Sequence, residues 1–389
     1  MPASITFFPV DNGDMTLLTF DNAQNLLIDI NIRKAADDKN DDTPDVMSDL
    51  RSRLTRDEKG RLFVDGFLLT HPHKDHICGL ETHFHLGPPE EWSEEDDKVL
   101  IRDMWSSPVV FRRASKENEL CDDAKAWAKE ARRRVAVYRT GVTLPAEGDR
   151  IQIMGEDEDG KTDDILPIVV KTDALVTSLN GVASSTFEAR LLAPLRHGDD
   201  EELEELITKN HSSVILRFSM RGGGILDKCR FLTGGDAEVA IWERLWNKHS
   251  DDRADWLTYD ILLTPHHCSW HSLSYDSISD SGEDAEVCDD ARSALAQTRK
   301  GAIAVASSKT IDPDDSDPPS DRAKREYISI VEGKSDRFLC VADVWENDGR
   351  SLQYDISSSG ITKAVKNATR AAVSALGIGA AASQARAHG

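Results

Sequence analysis

Short apolar runs, each closed by Gly, Pro, Asn or Asp, set the rhythm of this chain. Runs of that kind predict strands at Ile5–Val10, Met15–Phe20, Asn25–Ile30 and Phe63–Thr70 in the first part. They return at 213–218, 231–233, 259–263 and 302–306, and 338–344 with 351–356 are predicted to close the fold as a pair of strands. Helical spacing appears at Val46–Leu54, Glu117–Arg134, Glu201–Thr208 and Val239–Trp246. Between about 88 and 209 the alternation breaks into helical and irregular sequence, with short strands at 151–154 and 168–170, and this stretch reads as an insertion. Strands and helices are interspersed, which predicts an α/β domain over 1–363 followed by an Ala-rich tail, 364–389.

The net charge of −23 argues against a broad, non-specific nucleic-acid surface, although bound divalent cations would reverse the local potential. Much of the acidity lies in segments that read as solvated loops, such as 37–42, 90–97 and 312–317. The six cysteines form no C-x-x-C pair and read as reduced thiols of a cytoplasmic protein. No apolar run approaches a membrane span, and Met1–Val10 shows no secretory pattern, so no membrane partner is expected.

The chemistry concentrates in Thr70-His71-Pro72-His73-Lys74-Asp75-His76, directly after the apolar run Phe67-Leu68-Leu69. Neutral imidazole and carboxylate suit zinc, manganese or iron. One short turn cannot aim four such side chains at a single ion, which suggests two metals side by side. Asp29, Asp236 and His266 also follow strand-like runs, and His211 precedes one. If those strands lie together, their ends converge on one site. His83, His85, His197 and His249 read as surface residues.

These motifs resemble, in order, those of the metallo-β-lactamase-fold hydrolases, and most of all the hydrolase domain of the DNA-uptake competence protein ComEC. Leu26-Leu27-Ile28-Asp29 resembles the first motif, His71-Pro72-His73-Lys74-Asp75-His76 the defining one, Gly235-Asp236 the bridging aspartate and His266 the last ligand. Asp11-Asn12-Gly13-Asp14, Asn210-His211-Ser212-Ser213, His266-His267-Cys268-Ser269 and Ser307 resemble the ComEC-type details. Cys268 stands where that group has glycine, and the G-x-G-D turn lacks its first glycine. The likeness spans roughly 5–360, interrupted by the insertion.

The resemblance implies an αββα four-layer sandwich of two mixed sheets, with the insertion between the second and third motifs. It implies two divalent ions, Zn²⁺ or Mn²⁺. His71, His73 and His211 would hold the first; Asp75, His76 and His266 the second; Asp236 would bridge them. Asp29 would brace a ligand imidazole, and His267 or His271 would protonate a leaving group. The implied reaction is hydrolysis of a phosphodiester, with DNA or RNA as substrate and a cytoplasmic partner protein, for instance in bacterial defence. A groove formed by Arg112, Arg113, Arg132, Arg133, Arg134 and Arg139 would favour nucleic acid. The alternatives are hydrolysis of a small molecule such as a cyclic nucleotide or lactone, and a partner-regulated binding protein with a degraded site.

Overall fold

The structure, a computed structural model, describes residues 2–38, 40–108, 120–156, 160, 162–195, 213–315 and 317–365. The expected helix at Glu201–Thr208 and nearly all of the Ala-rich tail lie outside them. The protein is mixed α/β with two large mixed sheets. The first sheet runs, edge to edge, Gly360–Lys363, Leu352–Ser357, Ala3–Phe7, Thr16–Thr19, Asn25–Ile28, Phe63–Leu69, Val99–Ser106, Arg150–Met154 and Val169–Val170. The second runs Leu175–Val176, Phe187–Ala193, Ile215–Gly222, Ile225–Leu232, Tyr259–Leu263, Thr298–Ala306 and Phe338–Cys340.

Period-two patterning decides what each sheet covers. Phe231, Ile261, Leu263, Ile303 and Val305 face a core shared with Ile5, Phe7, Leu26 and Leu68 of the first sheet. Their neighbours Leu232, Leu262 and Ala304 face the opposite way, towards Ile241, Trp242 and Leu245 of the helix Val239–His249. On the far side of the first sheet, Leu27, Val64, Phe67 and Ile101 pack on Met47 and Leu50 of the helix Val46–Arg53 and on Trp127 and Ala131 of Asp122–Arg139. Three cores therefore separate four layers: helices, sheet, sheet, helices.

Several elements differ from the sequence reading. The stretch read as an insertion supplies strands to both sheets, including Val99–Ser106 and Phe187–Ala193. Val99–Ser106 is buried on both faces, so it shows no alternation and carries Asp103 and Arg102 inside an apolar run. The two closing segments do not pair with each other. Phe338–Cys340 ends the second sheet, while Leu352–Ser357 pairs with Ala3–Phe7 of the first. Between them Val341–Asp348 turns helical and stops at Gly349, which has a φ of 62°. No helix among the described residues is long and apolar enough to cross a membrane.

Strand direction prepares the site. Asn25–Ile28, Phe63–Leu69 and Val99–Ser106 are parallel, and so are Ile225–Leu232, Tyr259–Leu263 and Thr298–Ala306. Asp29, His71, Asp236, His267 and Ser307 each follow the C-terminal end of one of these strands. Open α/β sheets gather functional residues at such ends.

Candidate metal centre

Each turn that carries a candidate ligand is fixed by hydrogen bonds. Asp29 takes a φ of 53°, and its two carboxylate oxygens accept from the Thr70 backbone N–H (2.7 Å) and the Thr70 hydroxyl (2.5 Å). The turn after Phe63–Leu69 is thereby tied to its parallel neighbour. The Asp14 N–H donates to the Asp75 carbonyl (3.2 Å), which brings the first hairpin against the short helix Lys74–Ile77. Gly13 permits this approach, because a Cβ there would lie 2.7 Å from the same carbonyl and 2.2 Å from Asn31 Nδ2. The Asp236 N–H donates to Ser213 Oγ (3.1 Å), and the His266 N–H donates to the Gly235 carbonyl (2.8 Å).

Three overlapping groups result, each with ligand atoms close enough to share a metal ion: Asp75, His76, Asp236 and His267; His71, His73 and Asp236; Asp14, Asp29 and His76. The Asp236 carboxylate divides between the first two. Its Oδ2 lies 3.1 Å from His71 Nε2 and 3.7 Å from His73 Nδ1. Its Oδ1 lies 3.0 Å from His76 Nε2 and 3.6 Å from His267 Nε2. His267 Nε2 is also 3.3 Å from Asp75 Oδ2.

The opposite ring nitrogens are anchored. His76 Nδ1 donates to Asp29 (2.8 Å), His267 Nδ1 to the Ser307 carbonyl (3.1 Å) and His71 Nδ1 to the Thr70 hydroxyl (3.1 Å). These bonds turn the Nε2 atoms inward, the arrangement that ligating histidines favour. His76 Nε2, His267 Nε2 and Asp236 Oδ1 are buried and have no hydrogen-bond partner among the described residues, although they crowd one another. Buried polar atoms are rarely left so, and a divalent cation is the species that would satisfy all three at once. The donor set of imidazoles and carboxylates fits zinc or manganese.

Charge coupling in the cluster is strong. Burial pushes His71 down to about 4, helped by the charge of His76, so its imidazole is neutral. Burial also opposes protonation of His267, but Asp236 and the nearby carboxylates of Asp14 and Asp75 override it and hold the group up at about 10. His76 is raised in the same way by Asp236 and Asp29. Burial lifts Asp29 to about 6 against the pull of His76. Asp236 is driven well below its ordinary value, burial being outweighed by His76, His71 and His267.

Of the residues expected from sequence, Asp29, His71, His73, Asp75, His76, Asp236 and His267 come together in these groups. His266 lies at their margin, with Nε2 3.9 Å from Asp236 Oδ2, and its buried Nδ1 has no partner among the described residues. His211 lies outside the described residues. His271 is half-exposed, 3.8 Å from Asp317. Asp14 was not expected as a site residue; its oxygens lie 3.5 Å from His267 Nδ1 and 3.9 Å from His76 Nδ1. The signal for it was its place in the Gly13-Asp14 turn. Two histidines expected at the surface are buried: His85 bonds to the Pro88 carbonyl (2.9 Å), and His249 lies 3.5 Å from Asp173.

Of the arginines offered as a nucleic-acid groove, Arg132 is exposed, and three others are held in ion pairs. Arg133 pairs with Glu130 and Asp149, Arg134 is buried against Glu130, and Arg139 pairs with Asp164. Arg112 and Arg113 lie outside the described residues.

No protein-family model matches the chain. No curated protein matches it. Among solved structures it is similar to one described as unliganded yeast PDE1, with 12% identity over 87% of this chain and 97% of that one, at a TM-score of 0.39.

Proposed function

We propose that this chain is a metal-dependent hydrolase of the metallo-β-lactamase type that cleaves phosphodiesters with two divalent cations, Zn²⁺ or Mn²⁺. One observation carries the reading: Asp236 offers one carboxylate oxygen to the His71–His73 group and the other to the Asp75–His76–His267 group. When bound, such a pair of cations supplies an acidified water as nucleophile and neutralises charge on the ester oxygens. His71, His73, Asp75, His76, Asp236 and His267 would hold the cations. Asp29, Thr70 and the Ser307 carbonyl keep the imidazoles of His76, His71 and His267 turned inward. His271, half-exposed beside Asp317, is the candidate to protonate the leaving oxygen.

The likeness to the ComEC hydrolase domain favours DNA or RNA as substrate, with a partner protein of the same system. The second reading is a small phosphodiester such as a cyclic nucleotide. It is favoured by the pairing of Arg133, Arg134 and Arg139 with Asp149, Glu130 and Asp164 and by the net charge of −23.

The test compares wild type with His71→Ala/Asp75→Ala for bound metal and for cleavage of DNA, RNA, a cyclic nucleotide, a generic phosphodiester and a lactone. Metal-dependent phosphodiester cleavage that the double variant loses supports the reading, and salt dependence then separates the substrates, since backbone binding weakens steeply with salt. Cleavage of the lactone alone replaces the reading with small-molecule hydrolysis. Failure to bind any divalent metal overturns it.

A further inference from the structure

Two arginines stand side by side on the second sheet with no partner for their charge. Leu216 and Phe218 face the core between the sheets, so Arg217 between them points to the outer face. Ala189 and Leu191 place Arg190 on the same face of the neighbouring strand. The register sets Arg190 directly opposite Arg217. Like charges placed opposite each other work against the pairing of their strands.

Carboxylates do not offset them. Neither arginine makes an ion pair with a described residue. Arg230 on the next strand is different, being held by both oxygens of Asp227. The Asp173 carboxylate turns to Lys248 (2.9 Å) and His249 (3.5 Å). It leaves Arg190 only a backbone carbonyl, which accepts from Nη1 (2.6 Å). Asp255 and Glu188 are exposed and reach the two arginines only through their field.

The free donors are accessible. Arg217 is 8% exposed, and its Nε is buried with no hydrogen-bond partner among the described residues. Its Nη1 and Nη2 make no hydrogen bond with a described residue either, and they are not sealed from solvent; the same holds for Arg190 Nη2. The Arg190 guanidinium is fixed in place over the Trp256 ring, 3.7 Å from its centre. Burial, with the charges of Arg230 and Arg190, pushes Arg217 down to about 10, so it stays protonated at neutral pH.

A buried charge without a counter-charge is costly. Three terminal nitrogens on two planar forks suit an anion with several oxygens. Two unbalanced positive charges suit two negative ones. A carboxylate offers a single charge, whereas a phosphate dianion offers both.

We infer that Arg190 and Arg217 form a site for a phosphate dianion, either free or as the end group of a phosphomonoester. Arg217 lies opposite Leu232, four residues short of Asp236, or roughly 13 Å at strand spacing, which separates this site from the metal cluster. The inference goes beyond the metal-site reading and does not rest on it.

The test is calorimetric titration of the full chain with inorganic phosphate, glycerol phosphate and acetate at about pH 8, where phosphate is a dianion, and at constant ionic strength. Phosphate should saturate in the millimolar range and bind at least about tenfold more tightly than acetate, the worth of one charge-assisted bond. Arg217→Gln and Arg190→Gln should each weaken it by about tenfold or more. Phosphate also binds metal ions, so the titrations are repeated after chelator treatment, which should leave this site intact. Tighter binding of glycerol phosphate assigns the site to phosphomonoesters; equal or weaker binding assigns it to free phosphate. Acetate binding as tightly as phosphate, affinity unchanged in both arginine variants, binding lost on chelation, or no saturation each overturns the inference. Arg217→Gln removes an unpaired buried charge and should melt no lower than wild type; if it does not fold, Arg190→Gln and the chelated wild type still decide.

Discussion

Metal uptake by this protein should expel protons, and their number follows from the cluster. In the metal-free chain His71 is neutral at pH 7, because burial pushes it down to about 4. His267, held up at about 10, and His76, raised well above its ordinary 6.5, are both protonated there. An imidazole binds a cation only after losing its proton. Uptake at pH 7 should therefore release about two protons, one each from His76 and His267, and none from His71. Three pH units between 10 and 7 amount to about 4 kcal/mol at His267 alone, and this opposes binding at neutral pH. Apparent affinity should then rise with pH, by up to about a hundredfold per unit while both groups titrate. The sign reverses for the metal-free fold. A folded value raised from 6.5 to about 10 contributes stability that is fully present below 6.5 and is lost as pH climbs through 10. The assay is zinc titration of metal-free protein in a weakly buffered solution with a pH-stat, repeated on His267→Ala. Release near two in wild type and close to none in the variant, which lacks the cation that His76 would share with His267, is the expected result. Release near zero in wild type, or equal release from both proteins, would refute the assignment of His267 as a ligand.

His266→Ala should keep both metals by elemental analysis, because its Nε2 stands 3.9 Å from Asp236, whereas His267→Ala should lose one. Asp29→Asn should weaken metal affinity by about 10- to 100-fold, since the carboxylate orients His76 and ties down Thr70; competition with a chelator measures this. Asp236→Ala should remove the oxygens common to both groups and abolish binding of the second equivalent of zinc, read by calorimetry.

The strand ends were legible because a short apolar run marks a buried strand and a Gly or Pro marks its close. Phe231-Leu232-Thr233 before Gly234 and Tyr259–Leu263 before Pro265 show both signals. The histidine turn was legible from residue type and spacing alone. Val99–Ser106 was not, because Arg102 and Asp103 interrupt its apolar run, and the long-range partners that satisfy them are invisible in sequence. The helix Val341–Asp348 was missed because its apolar residues, Val341 and Val344, continue the run of Phe338–Cys340 without a break. Asp14 was hidden for a topological reason. It reaches His267 only when the first hairpin and the turn after Tyr259–Leu263, over 250 residues away, meet across the two sheets.

The choice between His266 and His267 was also beyond sequence, since both follow the same strand. Backbone conformation decides which ring enters. His266, His267 and Cys268 take φ values of 50°, 54° and 70°, three successive left-handed residues without a glycine. The first has its N–H fixed to the Gly235 carbonyl; the last sits where the resembling motif carries glycine. A side chain in this region costs about 1–2 kcal/mol. At an ordinary position glycine is worse than alanine by about 0.5–1 kcal/mol. At Cys268 the order should invert. Cys268→Ala and Cys268→Gly both remove the buried Sγ, but only the glycine variant relieves the strain. The difference between the two variants therefore reads that strain net of glycine's freedom in the unfolded chain, with the packing lost with sulfur common to both. Glycine should be more stable than alanine by roughly 0.5–1 kcal/mol, the relief less the added freedom of the unfolded chain. Urea melts of the two variants measure it. Alanine more stable than glycine would mean that the left-handed turn is not adopted in solution, and with it would go the argument that His267 rather than His266 is carried into the cluster.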